Sequence, residues 1–307
     1  MSERIIVSGG TGYVGAALVK RLSATGKEVV VLARSGRLPA SLQNLPGVSA
    51  VPWDARSLGA WASAVDGAWA VVHLAGEPAV GQRFTDTVKK RILDSRVKSG
   101  EALVQAIERA EKRPSVLVSA SGVGYYGPHG DEPCDESTPA GEDFLARVCI
   151  AWEGAVRAAE PLGVRVAITR FGVVLGPGGG ALPVMARPFK LFAGGKLGDG
   201  RQFFSWVHLD DAVAVLERCL NDSSVSGPFN VASPEAVPQA EFADALAHAL
   251  HRPAWLPAPK FALKLLFGEG SGPILTGQRA VPKRLEAIGF RFSHPKLDET
   301  LADALGS

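Results

Sequence analysis

The chain has 307 residues, of which 46% are hydrophobic and 21% are charged, so it can bury the core of an ordinary globular protein. Its 33 basic and 31 acidic residues leave a net charge of only +2, which argues against nucleic-acid and membrane partners. Three cysteines without CxxC spacing argue against a metal cluster and a disulfide framework, and they favour a cytoplasmic location.

The first half of the chain alternates β-branched runs with helical patterns. Helices are predicted at Tyr13–Ala24, at about Thr85–Glu111 and at Glu142–Glu160. Strands are predicted at Arg4–Val7, Glu28–Ala33, Val48–Val51, Ala68–Leu74, Ser115–Ser119 and Arg165–Arg170. This alternation predicts parallel βαβ units and therefore an α/β fold of the Rossmann type, with a doubly wound parallel sheet.

The sequence changes character after Gly176, where the glycine-rich segments GPGGGALP and GGKLGDG begin a region of shorter helices. We interpret residues 1–175 as a Rossmann domain that the chain rejoins at about 207–233. Residues 176–307 are then a smaller C-terminal α/β substrate lobe, folded over the carboxyl ends of the strands. Helices are predicted there at Leu209–Leu220, Gln239–Leu250, Lys260–Phe267 and Pro295–Leu305.

A glycine loop follows the first strand and opens the first helix. It spaces Gly9, Gly12 and Gly15 as GxxGxxG, so the backbone can approach a pyrophosphate that the helix N-terminus stabilises. The alternative is a tight turn without a ligand. We interpret the loop as a dinucleotide site that also includes Thr11, Tyr13 and Val14.

The end of the second strand indicates which dinucleotide binds. NAD sites usually have an acidic residue here, whereas this chain has Ala33, Arg34 and Ser35. A guanidinium binds a 2′-phosphate, which a carboxylate would repel. NADP(H) is therefore the predicted cofactor, and the alternative for Arg34 is an ordinary solvated arginine.

Further residues are expected around the cofactor because they follow strands of the same sheet. Asp54 is expected near the adenine and Arg96 near the pyrophosphate, although Arg96 is equally consistent with solvent exposure. Glu77 is either a pocket acid or a charge flanking a helix. The remaining residues expected to line the cofactor are Leu74, Ala75, Gly76 and Val174.

Several longer motifs are specific, namely GYYG, the helix FLARVCIAWE, GVVLGPGGGAL, GRQFFSWVHLDD and GQRAVPKRL with GFRF. With the glycine loop they resemble the extended short-chain dehydrogenase/reductase superfamily. Within it they are most similar to the atypical subfamily of epimerase family proteins, which has a characteristic C-terminal domain. The resemblance covers essentially the whole chain and implies a nicotinamide cofactor and redox or epimerase chemistry.

The superfamily's tyrosine–lysine pair is missing. That pair stands four residues apart on a helix, and the lysine lowers the tyrosine pKa so that the phenolate acts as a base. At the corresponding positions this chain has Leu145 and Cys149, followed by Glu153. Cys149 is expected to be an ordinary buried thiol.

The segment SASGVGYYG contains the remaining candidates for catalysis. Ser121 stands where the superfamily has its catalytic serine, which hydrogen-bonds the substrate oxygen. Tyr125 and Tyr126 follow on a predicted loop, and either one replaces the missing acid/base or both only pack. Glu77 is the next acid to consider.

Two residues of GRQFFSWVHLDD are candidates for the substrate site. In the pattern that this segment resembles, the residue matching Arg201 contacts a substrate phosphate. The substrate is therefore expected to be a small polar molecule, either with or without a phosphate group. His208 belongs to the same segment, but a single histidine there more often orders the domain junction.

The sequence thus predicts an NADP(H)-dependent oxidoreductase or epimerase. A non-catalytic NADP-binding redox sensor remains the alternative because the usual dyad is absent, and an assembly protein is a third. The superfamily resemblance also implies a homodimer through the two long helices that flank the sheet.

Overall fold

The computed structural model describes residues 3–306, and its strands and helices follow the predicted alternation. In chain order the strands are β1 (Arg4–Ser8), β2 (Glu28–Ala33), β3 (Val48–Pro52), β4 (Ala70–His73), β5 (Val116–Gly122), β6 (Pro133–Cys134), β7 (Arg165–Phe171), β8 (Val173–Leu175), β9 (Phe203–Phe204), β10 (Trp206–His208), β11 (Gly227–Val231), β12 (Val237–Pro238) and β13 (Arg279–Ala280).

The α-helices are on average shorter in the second half of the chain than in the first. In chain order they are α1 (Tyr13–Ala24), α2 (Ala40–Gln43), α3 (Asp86–Arg109), α4 (Phe144–Arg157), α5 (Leu182–Lys190), α6 (Leu209–Asn221), α7 (Gln239–Ala249), α8 (Lys260–Phe267), α9 (Gly272–Leu275), α10 (Lys283–Ala287) and α11 (Leu297–Leu305). Within residues 3–306 no helix is long and apolar enough to cross a bilayer.

Seven strands form one parallel sheet in the order β11-β7-β5-β4-β1-β2-β3. Helices cover both faces because successive side chains of a strand point in opposite directions. Ile5 and Val7 pack in the core that includes Leu18 of α1 and Val213 of α6. Ile6 packs on the other face with residues of α3 and α4. The doubly wound α/β fold is confirmed.

Most predicted bounds agree with the structure to within a few residues, and α1, β2 and α8 agree exactly. The main difference concerns SASGVGYYG. β5 continues to Gly122 and therefore contains Ser121, and residues 123–126 form a single turn of 3-10 helix rather than an open loop. The prediction of a loop at the two tyrosines was wrong, because pairing with β7 continues to Gly122 and the turn begins directly after it.

The second half of the chain contributes both to the sheet and to a separate core. β11 is the edge strand beside β7, and α6 packs on the same face as α1. A further cluster joins α5, α7 and α11 with the short strands, and it is built around Phe189, Trp206, Phe242 and Leu301. The domain division at residue 175 stays a prediction.

Asp211 of α6 ties this second core to the main sheet. Its side chain is almost fully buried and accepts hydrogen bonds from the backbone N–H groups of Ser293 (2.7 Å) and His294 (2.9 Å). Buried N–H groups that lose their acceptor cost free energy because water does not replace it. The carboxylate therefore holds the segment that leads into α11.

We predict that Asp211→Ala lowers the free energy of unfolding by about 2–4 kcal/mol, because two buried N–H groups lose a charged acceptor. Urea unfolding followed by circular dichroism measures the change. Asp210→Ala, at the exposed neighbouring position, is the matched control and should cost less than about 1 kcal/mol. Equal losses in the two variants would contradict this role.

Candidate functional site

The glycine loop between β1 and α1 leaves no room for side chains at two of its positions. Gly9 has φ +72°, and a Cβ there would lie 2.6 Å from the carbonyl carbon of Leu74. A Cβ on Gly15 would lie 2.2 Å from the carbonyl oxygen of Gly9. Both glycines are therefore required, since each lets two backbone segments pass in contact.

The N-terminus of α1 is free to bind an anion. Its N-cap is Gly12, which provides no side-chain acceptor, and the first turn, which contains Tyr13 and Val14, has no acidic residue. The first N–H groups of a helix lack partners within the helix, and the helix dipole favours negative charge there. Together with the crowded glycines and the neighbouring Thr11, this geometry fits the pyrophosphate of a dinucleotide.

Tyr13 joins the glycine loop to the start of the second half of the chain. Its hydroxyl donates to the carbonyl of Pro177 (3.2 Å), and its ring lies where side chains on Gly179 and Gly180 would be. Burial, with a smaller effect from Asp210, raises the pKa of Tyr13 to about 12. The side chain is therefore a neutral contact between the two segments.

Arg34 and Glu77 face each other at the carboxyl ends of β2 and β4. Their closest atoms, Nη1 and Oε1, are 3.6 Å apart, and the Arg34 side chain is 82% exposed. An exposed pair at this distance contributes little to stability. The arginine is thus able to turn towards another anion. The structure also brings the reserve acid Glu77 to the end of the site where a 2′-phosphate is expected.

The adjacent segments come close to the same edge of the sheet. The backbone N–H of Leu74 donates to Ser8 (3.0 Å), which brings the segment Leu74–Gly76 beside the glycine loop. Gly76 lies under the guanidinium of Arg96, which also stacks on Trp152 with its central carbon 5.0 Å from the ring centroid. Burial lowers the pKa of Arg96.

The outer residues of the predicted cofactor set have local roles. Asp54 closes a turn in which the Ser57 hydroxyl donates to its carboxylate, and this bond is the main cause of its lowered pKa. Ala33 ends β2, and the Ser35 hydroxyl accepts from the N–H of Arg37 (3.3 Å). Val174 pairs with Val207 between β8 and β10.

A buried ionic network lies directly behind Ser121. The Ser121 hydroxyl donates to Oε1 of Glu153 (2.8 Å), and Arg170 binds both oxygens of that carboxylate at 2.8 and 2.9 Å. All three side chains are at least 94% buried. A carboxylate can only accept, so the single proton of Ser121 is already used.

The two tyrosines occupy different environments. Tyr126 is almost fully buried, donates to Oδ1 of Asn230 (2.7 Å) and accepts from Arg170 (3.1 Å). Burial raises the pKa of Tyr126 to about 12. Tyr125 is only partly buried, and the Arg170 guanidinium lies 3.4 Å from its ring centroid. No residue within 3–306 bonds its hydroxyl.

Sequence reasoning missed Arg170, Asn230 and His73. Each is a fully buried polar residue inside an apolar strand, which is the only signal that marks them. His73 lies between the hydroxyls of Ser8 (2.7 Å) and Ser99 (3.2 Å), and burial lowers its pKa to about 3. It is therefore a neutral link between β1, β4 and α3.

The positions of the missing dyad are apolar in the structure as well. Leu145 packs close to Gly124, since a Cβ added to Gly124 would lie 3.5 Å from the Cβ of Leu145. Cys149 lies with its sulfur 3.7 Å from the carbonyl oxygen of Gly122, and burial raises its pKa to about 11. Neither residue is suited to proton transfer near neutral pH.

His208 lies at the junction between α6 and α11. Its Nδ1 accepts from the N–H of Asp210 (3.1 Å) and caps α6, while Nε2 is bonded to Asp303 of α11 (3.0 Å). Both ring nitrogens are therefore occupied, a geometry that does not support the predicted substrate contact. Arg201 is exposed, and only its backbone N–H is bonded, to Asp199 (3.1 Å).

The same junction contains the one histidine–carboxylate group of metal-site dimensions among residues 3–306. His208, His294 and Asp303 offer ligand atoms within 4.8 Å of one another. The two imidazoles lie face to face, however, with their centroids 3.8 Å apart and their planes tilted by 30°. Since a metal lies near the plane of each imidazole that binds it, stacked rings do not converge on one ion. The absence of a resident metal stays a prediction.

Comparisons with known proteins agree with this geometry. The sequence profile of the NAD-dependent epimerase/dehydratase family matches residues 5–232, and a domain of unknown function, DUF1731, matches residues 258–304. The predicted resemblance to epimerase family proteins with a separate C-terminal domain is confirmed.

Individual relatives extend over nearly the whole chain. The chain is 41% identical to the chloroplastic SDR39U1 homolog of Arabidopsis thaliana, over 97% of this chain and 85% of that protein. It is 36% identical to the human epimerase family protein SDR39U1, over 98% and 99%. The crystal structure of human SDR39U1 (isoform 2) with NADPH superposes with a TM-score of 0.87 at 33% identity and covers 99% of each chain.

We predict that the native protein reacts slowly with iodoacetamide at neutral pH. All three cysteines are buried, and burial raises the pKa of Cys134, Cys149 and Cys219 to about 11, 11 and 12. Because only the thiolate reacts, these raised pKa values slow alkylation by about 100-fold or more relative to an exposed cysteine, and burial limits access of the reagent as well. Mass spectrometry of native and urea-unfolded samples measures the rate at which each cysteine is alkylated. Rapid labelling of native Cys149 would instead indicate a thiolate in the site.

Proposed function

We propose an NADP(H)-dependent oxidoreductase or epimerase activity for this chain, which belongs to the NAD-dependent epimerase/dehydratase family. The observation that carries the proposal is the glycine loop with its open helix N-terminus, at the same edge of the sheet as Ser121 and Tyr125. A bound nicotinamide would supply or accept the hydride. The protein then has to hold the reacting oxygen and move one proton.

NADP(H) fits the site better than NAD(H) because of the charge at the end of β2. Arg34 is exposed and loosely paired with Glu77, so that it can turn to a 2′-phosphate and bind it with charge-assisted hydrogen bonds. NAD(H) lacks that phosphate, so it offers Arg34 no additional charged hydrogen bond. The NADPH-bound human structure supports the same preference.

Ser121 is suited to accept a hydrogen bond from the substrate. Its proton is donated to Glu153 (2.8 Å), which leaves the lone pairs of Oγ for a substrate hydroxyl. An alcohol bound in this way is oriented for hydride loss. The Glu153–Arg170 pair keeps the hydroxyl in that orientation.

Tyr125 is the side chain best placed to exchange the proton. In the reduction of a carbonyl, hydride adds to the carbon and the oxygen takes the proton of the Tyr125 hydroxyl, which later regains one from solvent. Tyr126 is less suited because its hydroxyl is bonded on both sides and its pKa is raised to about 12 by burial. Glu77 is paired with Arg34, at the 2′-phosphate end of the site.

The substrate that fits these groups is a small polar molecule with a hydroxyl or carbonyl group. The exposed guanidinium of Arg201 provides a place for a phosphate on it. The three unpaired cysteines support the prediction of a reducing, cytoplasmic environment. The homodimer likewise stays a proposal from the superfamily resemblance.

We predict that Arg34→Ala weakens NADPH binding by about 10- to 150-fold, which corresponds to the loss of about 1.5–3 kcal/mol from charged hydrogen bonds. NADH binding should hardly change because it lacks the 2′-phosphate. Isothermal titration calorimetry with both cofactors measures the two affinities. Arg109→Ala, an exposed arginine at the end of α3, is the control. A wild type that binds both cofactors equally would refute NADP preference.

We predict that Tyr125→Phe lowers the rate of NADPH oxidation by about 10²–10⁴-fold, the weight of a general acid, while leaving stability and cofactor affinity unchanged. Tyr126→Phe should instead lower the free energy of unfolding by about 1–3 kcal/mol, since Asn230 and Arg170 lose a buried partner.

Stopped-flow absorbance with 9,10-phenanthrenequinone and small aldehydes as carbonyl probes measures the rate, and urea unfolding measures stability. Unchanged turnover in the Tyr125 variant would make that tyrosine a packing residue. A wild type that binds NADPH tightly but oxidises it with none of the probes would favour the redox sensor.

A further inference from the structure

Large apolar side chains are exposed on one part of the surface. Of the ten exposed large hydrophobic residues in the described chain, eight belong to α5, α8 and the segments that adjoin them. We call this the α5–α8 face, and it is formed by Val184, Leu191, Phe192, Trp255, Leu256, Phe261, Leu265 and Leu266. Contiguous exposed apolar patches indicate an interaction site, whereas single exposed residues do not.

Hydrogen bonds join the segment after α5 to the segment before α8. The indole N–H of Trp255 donates to the carbonyl of Phe192 (3.0 Å), and the N–H of Leu256 donates to Gly194 (3.0 Å). An isolated bridge then joins Leu197 to Ala258, just before α8 begins. The segment after α5 therefore runs beside the segment that leads into α8.

Each helix presents its exposed side chains at helical spacing. Val184, in α5, and Leu191, which caps it, are seven residues apart and 74% and 69% exposed. Phe261 and Leu265 of α8 are four residues apart and 74% and 78% exposed. Residues at these spacings lie on the same side of a helix.

The charge of this region differs from that of the whole protein. Residues 182–201 and 251–270 contain seven lysines and arginines but only two acidic residues, although the whole chain has a net charge of only +2. Both acidic residues are paired with lysines, Asp199 with Lys260 (2.7 Å) and Glu269 with Lys89. The excess positive charge is therefore left for an external anion.

We propose that the α5–α8 face docks on the surface of an anionic membrane. Aromatic and aliphatic side chains interspersed with lysine and arginine are typical of protein surfaces that lie in the headgroup region. The apolar groups enter the boundary of the acyl chains, and the long basic side chains extend to the lipid phosphates. The net charge of the whole chain does not reveal this surface because the residues outside these two segments are slightly acidic.

The positive charge of the α5–α8 face also argues against its binding a second copy of the chain. A two-fold symmetric dimer places the same patch against itself, so two positively charged surfaces would meet. An anionic bilayer has no such cost. Docking is independent of the proposed hydride chemistry, and its test needs neither cofactor nor substrate.

The experiment is flotation of the full-length protein with vesicles. Binding is expected to vesicles of phosphatidylcholine with about 30% phosphatidylglycerol, to be weak on pure phosphatidylcholine, and to decrease at high salt. Phe261→Ser/Leu265→Ser should lower the partition coefficient at least about tenfold by removing two apolar contacts. Lys190→Glu/Lys264→Glu should lower it at least about tenfold on the anionic vesicles alone.

Matched controls are an exposed apolar residue and an exposed lysine elsewhere, Ile150→Ser on α4 and Lys20→Glu on α1. Both should bind like the wild type, and circular dichroism checks that every variant is folded. Absence of binding to anionic vesicles overturns the proposal. So does equal loss of binding in the controls. A concentration-dependent dimer in sedimentation velocity that the Phe261/Leu265 variant abolishes, without vesicle binding, assigns the face to a second copy instead.

Discussion

The ion pair between Glu153 and Arg170 is the interaction on which the geometry of the site depends. It joins α4 to β7 inside the protein, where both charges are removed from water. Such a pair is tolerated only when each partner satisfies the other and the remaining hydrogen-bonding groups are also bonded. Here the carboxylate also accepts from Ser121, and the guanidinium also donates to Tyr126. Loss of either charge would leave the other buried without an opposite charge.

The network extends from this pair into the second half of the chain. Tyr126 donates to Asn230 of β11, and the Asn230 amide donates to the carbonyls of Cys134 and Val281. The ends of β5, β7 and β11 are therefore held at fixed separations by polar contacts rather than by apolar packing alone. A hydroxyl at the end of β5 is thereby kept in one orientation, which is what a substrate-binding group requires.

Much of the architecture could be predicted from the sequence because local signals determine it. The glycine loop and the run EVVVLA each specify one structure through spacing and propensity, and α1 and β2 have the predicted bounds. The site was less predictable because it depends on pairings between distant residues. Tyr125 and Tyr126 are equivalent in the sequence, and only the turn after β5 buries one hydroxyl against Asn230. The net charge likewise does not indicate the basic α5–α8 face, because a single sum over all residues does not show where the charges lie.

The tyrosine–lysine pair is missing from α4, and Glu153 of the Glu153–Arg170 ion pair lies one turn after the position of the missing lysine. In the superfamily that the chain resembles, lysine supplies the positive charge beside the catalytic tyrosine, and here the buried Cys149 stands at that position. The buried cation that contacts Tyr125 is Arg170, whose central carbon lies 3.4 Å from the centroid of the tyrosine ring. A guanidinium placed over the ring holds the tyrosine through its π face and not through its hydroxyl. The positive charge of Arg170 thus orients the ring of Tyr125, whereas the lysine of the superfamily lies beside the tyrosine hydroxyl.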